Sequence, residues 1–242
     1  MIFAQRFVAG IRDVGQGDEL TNKAILEALT DVSNLHALSV GQSSRDRSRS
    51  GLVWVVVNWK LQVLRRPRVC DAFVARTWAR EYNRAHAYRD YDLLDDQGAV
   101  CALATSRWVA LDARTGELVR LTPEIMDVYE PELDRVSFPD FTFSRGVPKG
   151  LPEERRAHVK VPRSTIDCNG HVHNAAYLDL AAEVLPAGLW RKHFASVEIS
   201  YRKEILPDET VLLLYGEADG THYVQVKSAD GAVLHAVIAL RD

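Results

Sequence analysis

The chain has only three cysteines in 242 residues, Cys70, Cys101 and Cys168, and no two form a CxxC pair. An odd, scattered set of thiols makes no disulfide framework, which excludes the small secreted scaffolds that depend on one. Such usage fits a reducing compartment, and the cytoplasm is the expected location. Long apolar runs are also missing. None reaches the roughly 18–20 residues of a membrane-spanning helix. Between Met1 and Arg12, Gln5 and Arg6 interrupt the apolar stretch and no cleavage-site pattern follows, so no signal peptide is expected. An excess of one charge is lacking too. Lys+Arg number 30 against 33 Asp+Glu, a net charge of -3, which argues against a protein wrapped in basic residues for nucleic acid.

What is present suits a folded chain. Apolar residues make up 47% and charged residues 26%, proportions that argue against disorder. The length admits one large domain or two of about 120 residues, each able to bury its own core. Ile25, Leu29 and Val32 fall at helical spacing between Thr21 and Leu35, with Thr21 or Asn22 as the N-cap and Gly41 as the stop. A polar, Arg-rich loop, Ser43 to Gly51, follows. Val57, Trp59, Leu61 and Val63 then alternate with Asn58, Lys60 and Gln62, the period of a half-buried strand that Pro67 ends. Phe73–Tyr82, Ala85–Leu94 and Ala99–Leu111 read as three more strands, with Asp95-Asp96-Gln97-Gly98 as a hairpin turn. Trp54, Trp59, Trp78 and Trp108 fall in these strands and read as core.

A Pro- and Gly-rich stretch without periodicity separates this from a second, similar series. His158–Val161 reads as a strand, and Tyr177, Leu180, Ala181 and Val184 mark a helical face closed by Pro186. Val197, Ile199 and Tyr201 alternate as Val57, Trp59 and Leu61 do 140 positions earlier, and Pro207 follows as Pro67 does. The order implies an internal repeat: strand, helix, then about four antiparallel strands. The expected class is α+β, a long helix on a curved antiparallel sheet, twice. Residues 1–133 form the first repeat, 134–152 a linker and 153–242 the second repeat.

The densest polar cluster is Asp167-Cys168-Asn169-Gly170-His171-Val172-His173-Asn174. In an extended segment the spacing of two would aim Asp167, Asn169 and His171 the same way, with Cys168 opposite. The helix start beyond would add N–H donors for an oxyanion. A plainer reading is that Asp167 or Asn174 caps a helix. Glu204, in Ser200-Tyr201-Arg202-Lys203-Glu204-Ile205, is a second candidate whose interest depends on its company. His171-x-His173 beside Asp167 is the pattern of a metal site, but no further His or Cys sits at ligand spacing.

Ile166 to Tyr177, with Glu183 and Pro186 beyond, resembles the D-x-N-x-H-V-N-N-x-x-Y…E-x-x-P signature of plant and bacterial acyl-ACP thioesterases. Val197 to Glu204 resembles that family's Y-R-[RK]-E strand. Trp54 to Gln62, Pro67, Thr77-Trp78 with Glu81, Ala104 to Trp108 and Thr115-Gly116-Glu117 are similar to its N-terminal domain. The resemblance implies a double hotdog fold and hydrolysis of fatty acyl-ACP without a cofactor. Asp167, Asn169, His171 and Glu204 are then the catalytic set. Two positions depart from the pattern: His173 replaces an Asn, and Ile205 stands where plant members often carry Cys. Either Glu204 or Asp167 could activate water, and an acyl-carboxylate anhydride is an alternative route. Acyl-CoA hydrolysis, hydroxyacyl dehydration and non-catalytic acyl binding are the competing functions.

The repeat adds a further expectation. With helix starts Asn22 and Asn174 aligned, Asp167, Asn169 and His171 fall opposite Gly15, Gly17 and Glu19, and a strand offset of 140 puts Glu204 opposite Leu64. One active site per chain follows. The partner implied is an acyl carrier protein bearing a fatty acyl-phosphopantetheine. From Arg45 to Arg68 seven basic residues meet one acid, and Arg65, Arg66 and Arg68 are candidate carrier contacts. No nucleic acid and no membrane span are expected. A fused repeat can mimic a dimer within one chain, so a homodimer is left open.

Overall fold

A computed structural model describes residues 1–144 and 146–242. Arg145, inside the expected linker, lies outside the described residues. The chain divides into two compact units, Met1–Leu20 with Ala24–Phe141, and Thr21–Lys23 with Thr142–Asp242.

In the first unit β1 (Phe3–Val8) precedes α1 (Asn22–Ser39), and β2 (Leu52–Val63), β3 (Ala72–Tyr82), β4 (Ala87–Asp95) and β5 (Val100–Asp112) follow. The strands pair antiparallel in the order β1-β3-β4-β5-β2. α1 forms where the spacing predicts it, because Ile25, Leu29 and Val32 bury one face almost completely. Each such side chain contributes on the order of 1.5–3 kcal/mol. Gly41 ends the helix at φ +74°, a left-handed conformation that favours glycine. The expected loop after it instead folds into a 3-10 turn (Ser44–Asp46) and α2 (Arg47–Ser50). Ser43 and Asp46 close a reciprocal capping box there, an arrangement that satisfies the first N–H groups.

The half-buried alternation expected of β2 is not what forms. Asn58 and Lys60 are buried like Trp59 and Leu61. A bulge between Val56 and Asn58 interrupts the register, and the Lys60 ammonium lies over the Phe141 ring at 5.4 Å. Trp59 and Trp78 are core as expected, while Trp54 and Trp108 are partly exposed. Polar groups enter this core in connected sets. Tyr91 Oη meets Ser33 Oγ at 2.9 Å and Ser106 Oγ at 2.8 Å. Arg89 donates to His36 Nδ1 at 2.8 Å, and burial, with the guanidinium beside it, pushes the His36 imidazole down to about 3. Alternation turns Asp90 and Asp92 to the other face of β4. There Ser137 N–H donates to Asp90 Oδ2 at 2.7 Å and Arg135 pairs with Asp92 at 3.0 Å.

The short helical turn α3 (Pro123–Met126) follows β5, and the second unit then repeats the series. β6 (Arg155–Lys160) precedes α4 (Tyr177–Ala182), followed by β7 (Ser196–Tyr201), β8 (Thr210–Ala218), β9 (Thr221–Ser228) and β10 (Leu234–Arg241). The strand order β6-β8-β9-β10-β7 is that of the first unit, element for element. The second helix differs from the expectation of a long one. It has six residues against eighteen in α1, after a 3-10 turn at Asn174–Ala176. Val184 N–H reaches only Ala181 O, at 3.2 Å, and Pro186 then removes a donor and stops propagation.

Gly216 on β8 marks the closest backbone approach. A Cβ there would stand 2.0 Å from the Pro152 carbonyl oxygen. We expect Gly216→Ala to destabilise the fold by about 1–3 kcal/mol, as overpacking against backbone does. Thermal melting checks this, and an unchanged midpoint would show that residues 151–154 shift at no cost.

Candidate active site

The segment Asp167–His171 is a closed turn, not the extended run that its spacing of two suggested. Asp167 drives the difference. Its Oδ1 accepts Asn169 N–H at 2.8 Å and its Oδ2 accepts Asn169 Nδ2–H at 3.1 Å, a local side-chain turn that competes with extension. Gly170, at φ +84°, donates to Asp167 O at 3.0 Å, and Asp167 N–H donates to His171 O at 2.9 Å. Ile166 and Val172 bridge across the base. The turn still gathers the three side chains. His171 Nδ1 lies 3.8 Å from Asp167 Oδ1, too far for a hydrogen bond but close enough for an ion pair once the imidazole is protonated. Cys168 is exposed and free.

The helix start beyond does not offer the open donors expected of it. Ala175 N–H donates to His173 Nδ1 at 3.4 Å and Ala176 N–H to His173 O at 2.9 Å. His173 thus caps this turn with its imidazole.

Glu204 comes from a different stretch, just past the end of β7, and is exposed. A backbone bond brings it to the turn. Val172 N–H donates to Ile205 O at 3.0 Å, and both residues are buried. Tyr177, buried at the start of α4, feels the Glu204 carboxylate. Burial first and that charge second raise its phenol above the ordinary value. Tyr177 packs edge-on against Tyr201 at 5.1 Å, and Tyr201 Oη donates to Asn174 O at 2.7 Å. The loop of Glu204 is therefore tied to the same framework as the turn.

The first unit contains the same framework without the chemistry. Gly15 N–H donates to Glu19 O at 2.9 Å and Asp18 N–H to Gly15 O at 3.2 Å, with Val14 and Leu20 bridged across the base. Leu20 N–H donates to Pro67 O at 3.0 Å, as Val172 does to Ile205. Gly15, Gly17 and Glu19 thus occupy the places of Asp167, Asn169 and His171, as the aligned helix starts predict. The partner expected for Glu204 was wrong. The matched bonds set Ile205 beside Pro67, which puts Arg66, not Leu64, in the place of Glu204. The offset of 140 failed because matched bulges and loop lengths, not identities, fix the register.

The three arginines proposed for a carrier separate in the structure. Arg65 pairs with Asp95 and donates to Ala99 O at 3.1 Å. Arg66 donates to Leu20 O at 2.7 Å, and burial lowers its guanidinium to about 10. Arg68 is exposed. Among the described residues no group of three or more His, Cys, Asp or Glu is arranged to hold a metal ion, and no helix is long and apolar enough to cross a membrane.

Two tandem units of one helix-on-sheet design, with a polar set on only one of them, define a double hotdog protein. Solved structures share this fold. An acyl-ACP thioesterase from Bacteroides thetaiotaomicron superposes with a TM-score of 0.87 at 20% identity, over 99% of this chain and 97% of that one. The 12:0-ACP thioesterase from Umbellularia californica gives 0.84 at 21% identity, over 99% and 96%. The acyl-ACP thioesterase N-terminal domain matches residues 1–129 and the C-terminal domain residues 149–238. The chain belongs to the acyl-ACP thioesterase family. Among curated relatives, the chloroplastic oleoyl-acyl carrier protein thioesterase 1 of Arabidopsis thaliana is 28% identical over 225 residues, 86% of this chain and 62% of that protein. The chain spans about six tenths of the length of such relatives.

The turn yields a prediction. Asp18 holds φ +61° where Gly170 holds +84°, so this site tolerates a short polar side chain in the left-handed region. Gly170→Asn should leave the melting midpoint close to the parent. Gly170→Val, a β-branched residue forced to positive φ, should lose about 1–3 kcal/mol. Equal midpoints for the two variants would contradict the role given to this turn.

Proposed function

We propose that the protein hydrolyses the thioester of fatty acyl-ACP to free fatty acid and holo-ACP, as a step of fatty acid metabolism in the cytoplasm. The observation that carries this reading is the loading of one turn out of two equivalent ones. The shared framework bears Gly15, Gly17, Glu19 and Arg66 in one unit, and Asp167, Asn169, His171 and Glu204 in the other. Packing needs alone would not demand the second set. The family supports the substrate class, and the three free cysteines fit a reducing compartment.

The geometry favours a division of labour. The Asp167 carboxylate is engaged by the Asn169 backbone N–H and by one Nδ2–H and faces His171, so it orients. Among the described residues the Glu204 carboxylate makes no hydrogen bond, and its exposure gives it access to water. Glu204 takes a proton from water as the oxygen attacks the thioester carbon. An amide carries two N–H donors and an acceptor oxygen, so Asn169, with donors on Asp167, can also hold the water or the carbonyl. His171 polarises the carbonyl. When the C–S bond breaks, the newly protonated Glu204 gives that proton to the pantetheine thiolate, directly or through His171. In the second case His171 takes the proton from Glu204 and passes one to sulfur, and the transient imidazolium is stabilised by the Asp167 carboxylate beside it. No cofactor enters this route.

The first repeat, residues 1–133, then serves the acyl chain and the carrier, with 134–152 as the linker to the second. Arg65 and Arg68 are the surface charges offered to an acidic carrier protein, while Arg66 holds the chain at Leu20.

Thiol release from a panel of acyl-ACPs with matched acyl-CoAs tests the reaction. His171→Ala and Glu204→Ala should each lower turnover by at least roughly 100-fold with the fold intact. Near-normal turnover in either folded variant would remove that residue from the mechanism. Acyl-ACP binding without release would favour an acyl-binding protein. Arg68→Glu should weaken use of acyl-ACP more than acyl-CoA, and more at low salt. Equal loss on both substrates would remove the docking role.

A further inference from the structure

His235 stands out in β10 as a buried histidine within the apolar run Leu234-His235-Ala236-Val237-Ile238. The register explains how it comes to matter. Leu234 pairs with Lys227 and Ala236 with Val226, so His235 is the extra residue of a β-bulge. A bulge re-aims the residue it inserts. The His235 carbonyl continues the register between β10 and β7, accepting Arg202 N–H at 2.8 Å and Lys203 N–H at 3.3 Å. Its ring Nδ1 lies 3.2 Å from Lys203 O and 3.1 Å from Glu204 O. Both of those atoms are carbonyl oxygens, which only accept. Nδ1 therefore carries the proton and donates to the pair. Nε2 is buried with no hydrogen-bond partner among the described residues, and Glu209 Oε2 stands 3.9 Å away.

The first unit supplies the comparison. Leu93 pairs with Ala102 and Leu94 with Val100, so β5 is bulged at Cys101. The Cys101 carbonyl accepts Leu64 N–H at 2.9 Å and Arg65 N–H at 3.1 Å. The two bulges and their backbone bonds correspond. The backbone device is therefore common to both units, and the imidazole is added only where the following residue is Glu204 instead of Arg66. A buried ring with one unpartnered nitrogen carries a desolvation cost that an apolar side chain would avoid. Support of the bulge does not explain it, because Cys101 sits on the same bulge without one.

We infer that His235 is a positioning residue for the reaction, clamping the carbonyls of Lys203 and Glu204 so that the Glu204 carboxylate is held toward the attacking water. The inference rests on the reading of Glu204 as the base. His235 touches neither substrate nor water in this role and acts through the Glu204 backbone.

The test is a set of His235 variants assayed on one acyl-ACP for kcat and KM, with thermal melting alongside. Asn places an amide donor where His carries Nδ1, and Gln places one nearer Nε2. His235→Ala should lower kcat by ~10- to 100-fold, the scale of a misplaced catalytic group, with KM within about twofold. His235→Asn should recover most of kcat and His235→Gln should not. The double variant with Glu204→Ala should be no slower than Glu204→Ala alone. If His235→Ala fails to fold, the contrast between Asn and Gln decides the matter. Normal kcat in folded His235→Ala or in His235→Gln, beside an inactive Glu204→Ala, would overturn the positioning role alone. Normal kcat in Glu204→Ala would remove the base itself, and the positioning role with it. Independent, multiplying losses in the double variant would also overturn the inference.

Discussion

The site depends on one backbone hydrogen bond, from Val172 N–H to Ile205 O at 3.0 Å. The turn of Asp167, Asn169 and His171 and the loop of Glu204 come from stretches of chain separated by the whole of α4 and β7. Neither stretch has regular structure of its own. The bond joins the residue after His171 to the residue after Glu204. Both of those residues are buried, so water does not compete for the bond. A net value of about 0.5–1.5 kcal/mol is typical of such a bond. Its structural consequence is larger, because it fixes the register of two loops whose side chains must meet.

The same bond in the first unit, between Leu20 and Pro67, separates architecture from chemistry. A turn closed by backbone bonds and a bulge on the last strand are what this fold uses to end its elements, whatever residues decorate them. Glycine at positions 15 and 17 leaves the first turn bare. Arg66 donates to Leu20 O, so the place that Glu204 takes in the second unit is filled by a cation that braces the framework. Only the second copy combines a carboxylate, an amide and an imidazole on this turn with a carboxylate on the facing loop. That asymmetry supports function more strongly than any single residue could, since each alone has an ordinary structural use.

Much of the fold was legible in the sequence, for reasons that are local. The helix face of Ile25, Leu29 and Val32 and the turn at Gly98 follow from spacing and conformational preference, while β2 ends at Val63, ahead of the Pro67 expected to stop it. The strand order repeated in the two units follows once the order of elements repeats. What was not legible is equally physical. Burial of Asn58 and Lys60 depends on what covers the second face of β2, which alternation along one strand does not reveal. The closed turn at Asp167 was hidden because spacing by two suits an extended strand, although Asp-x-Asn-Gly also carries the turn chemistry that won. The partner of Glu204 was misplaced because alternation along one strand fits an offset of 140 as well as 138, and only the pairing of Tyr201 with Ala236 and of Val63 with Ala102 beside matched bulges sets it at 138. His235 had one faint signal, a histidine in an apolar strand.

The second unit builds its site on turns and a six-residue helix, where the first unit has eighteen residues of α1. A short helix gains little from propagation and relies on its contacts. Tyr177 and Leu180 bury its one turn, and the Tyr177–Tyr201 pair fastens that turn to the end of β7. Irregular backbone usually means a mobile surface, and a mobile surface cannot hold catalytic groups within a fraction of an ångström. The conflict is resolved beneath the exposed residues. Asp167 is fixed by the turn it closes, and Glu204 by a carbonyl framework whose donors and acceptors are spent on His235 and Val172. The Glu204 side chain stays open to water, while the backbone that aims it rests on buried Val172, Ile205 and His235. Exposure of the proposed reacting group and rigidity of its placement are therefore compatible here, because they belong to different layers of the same loop.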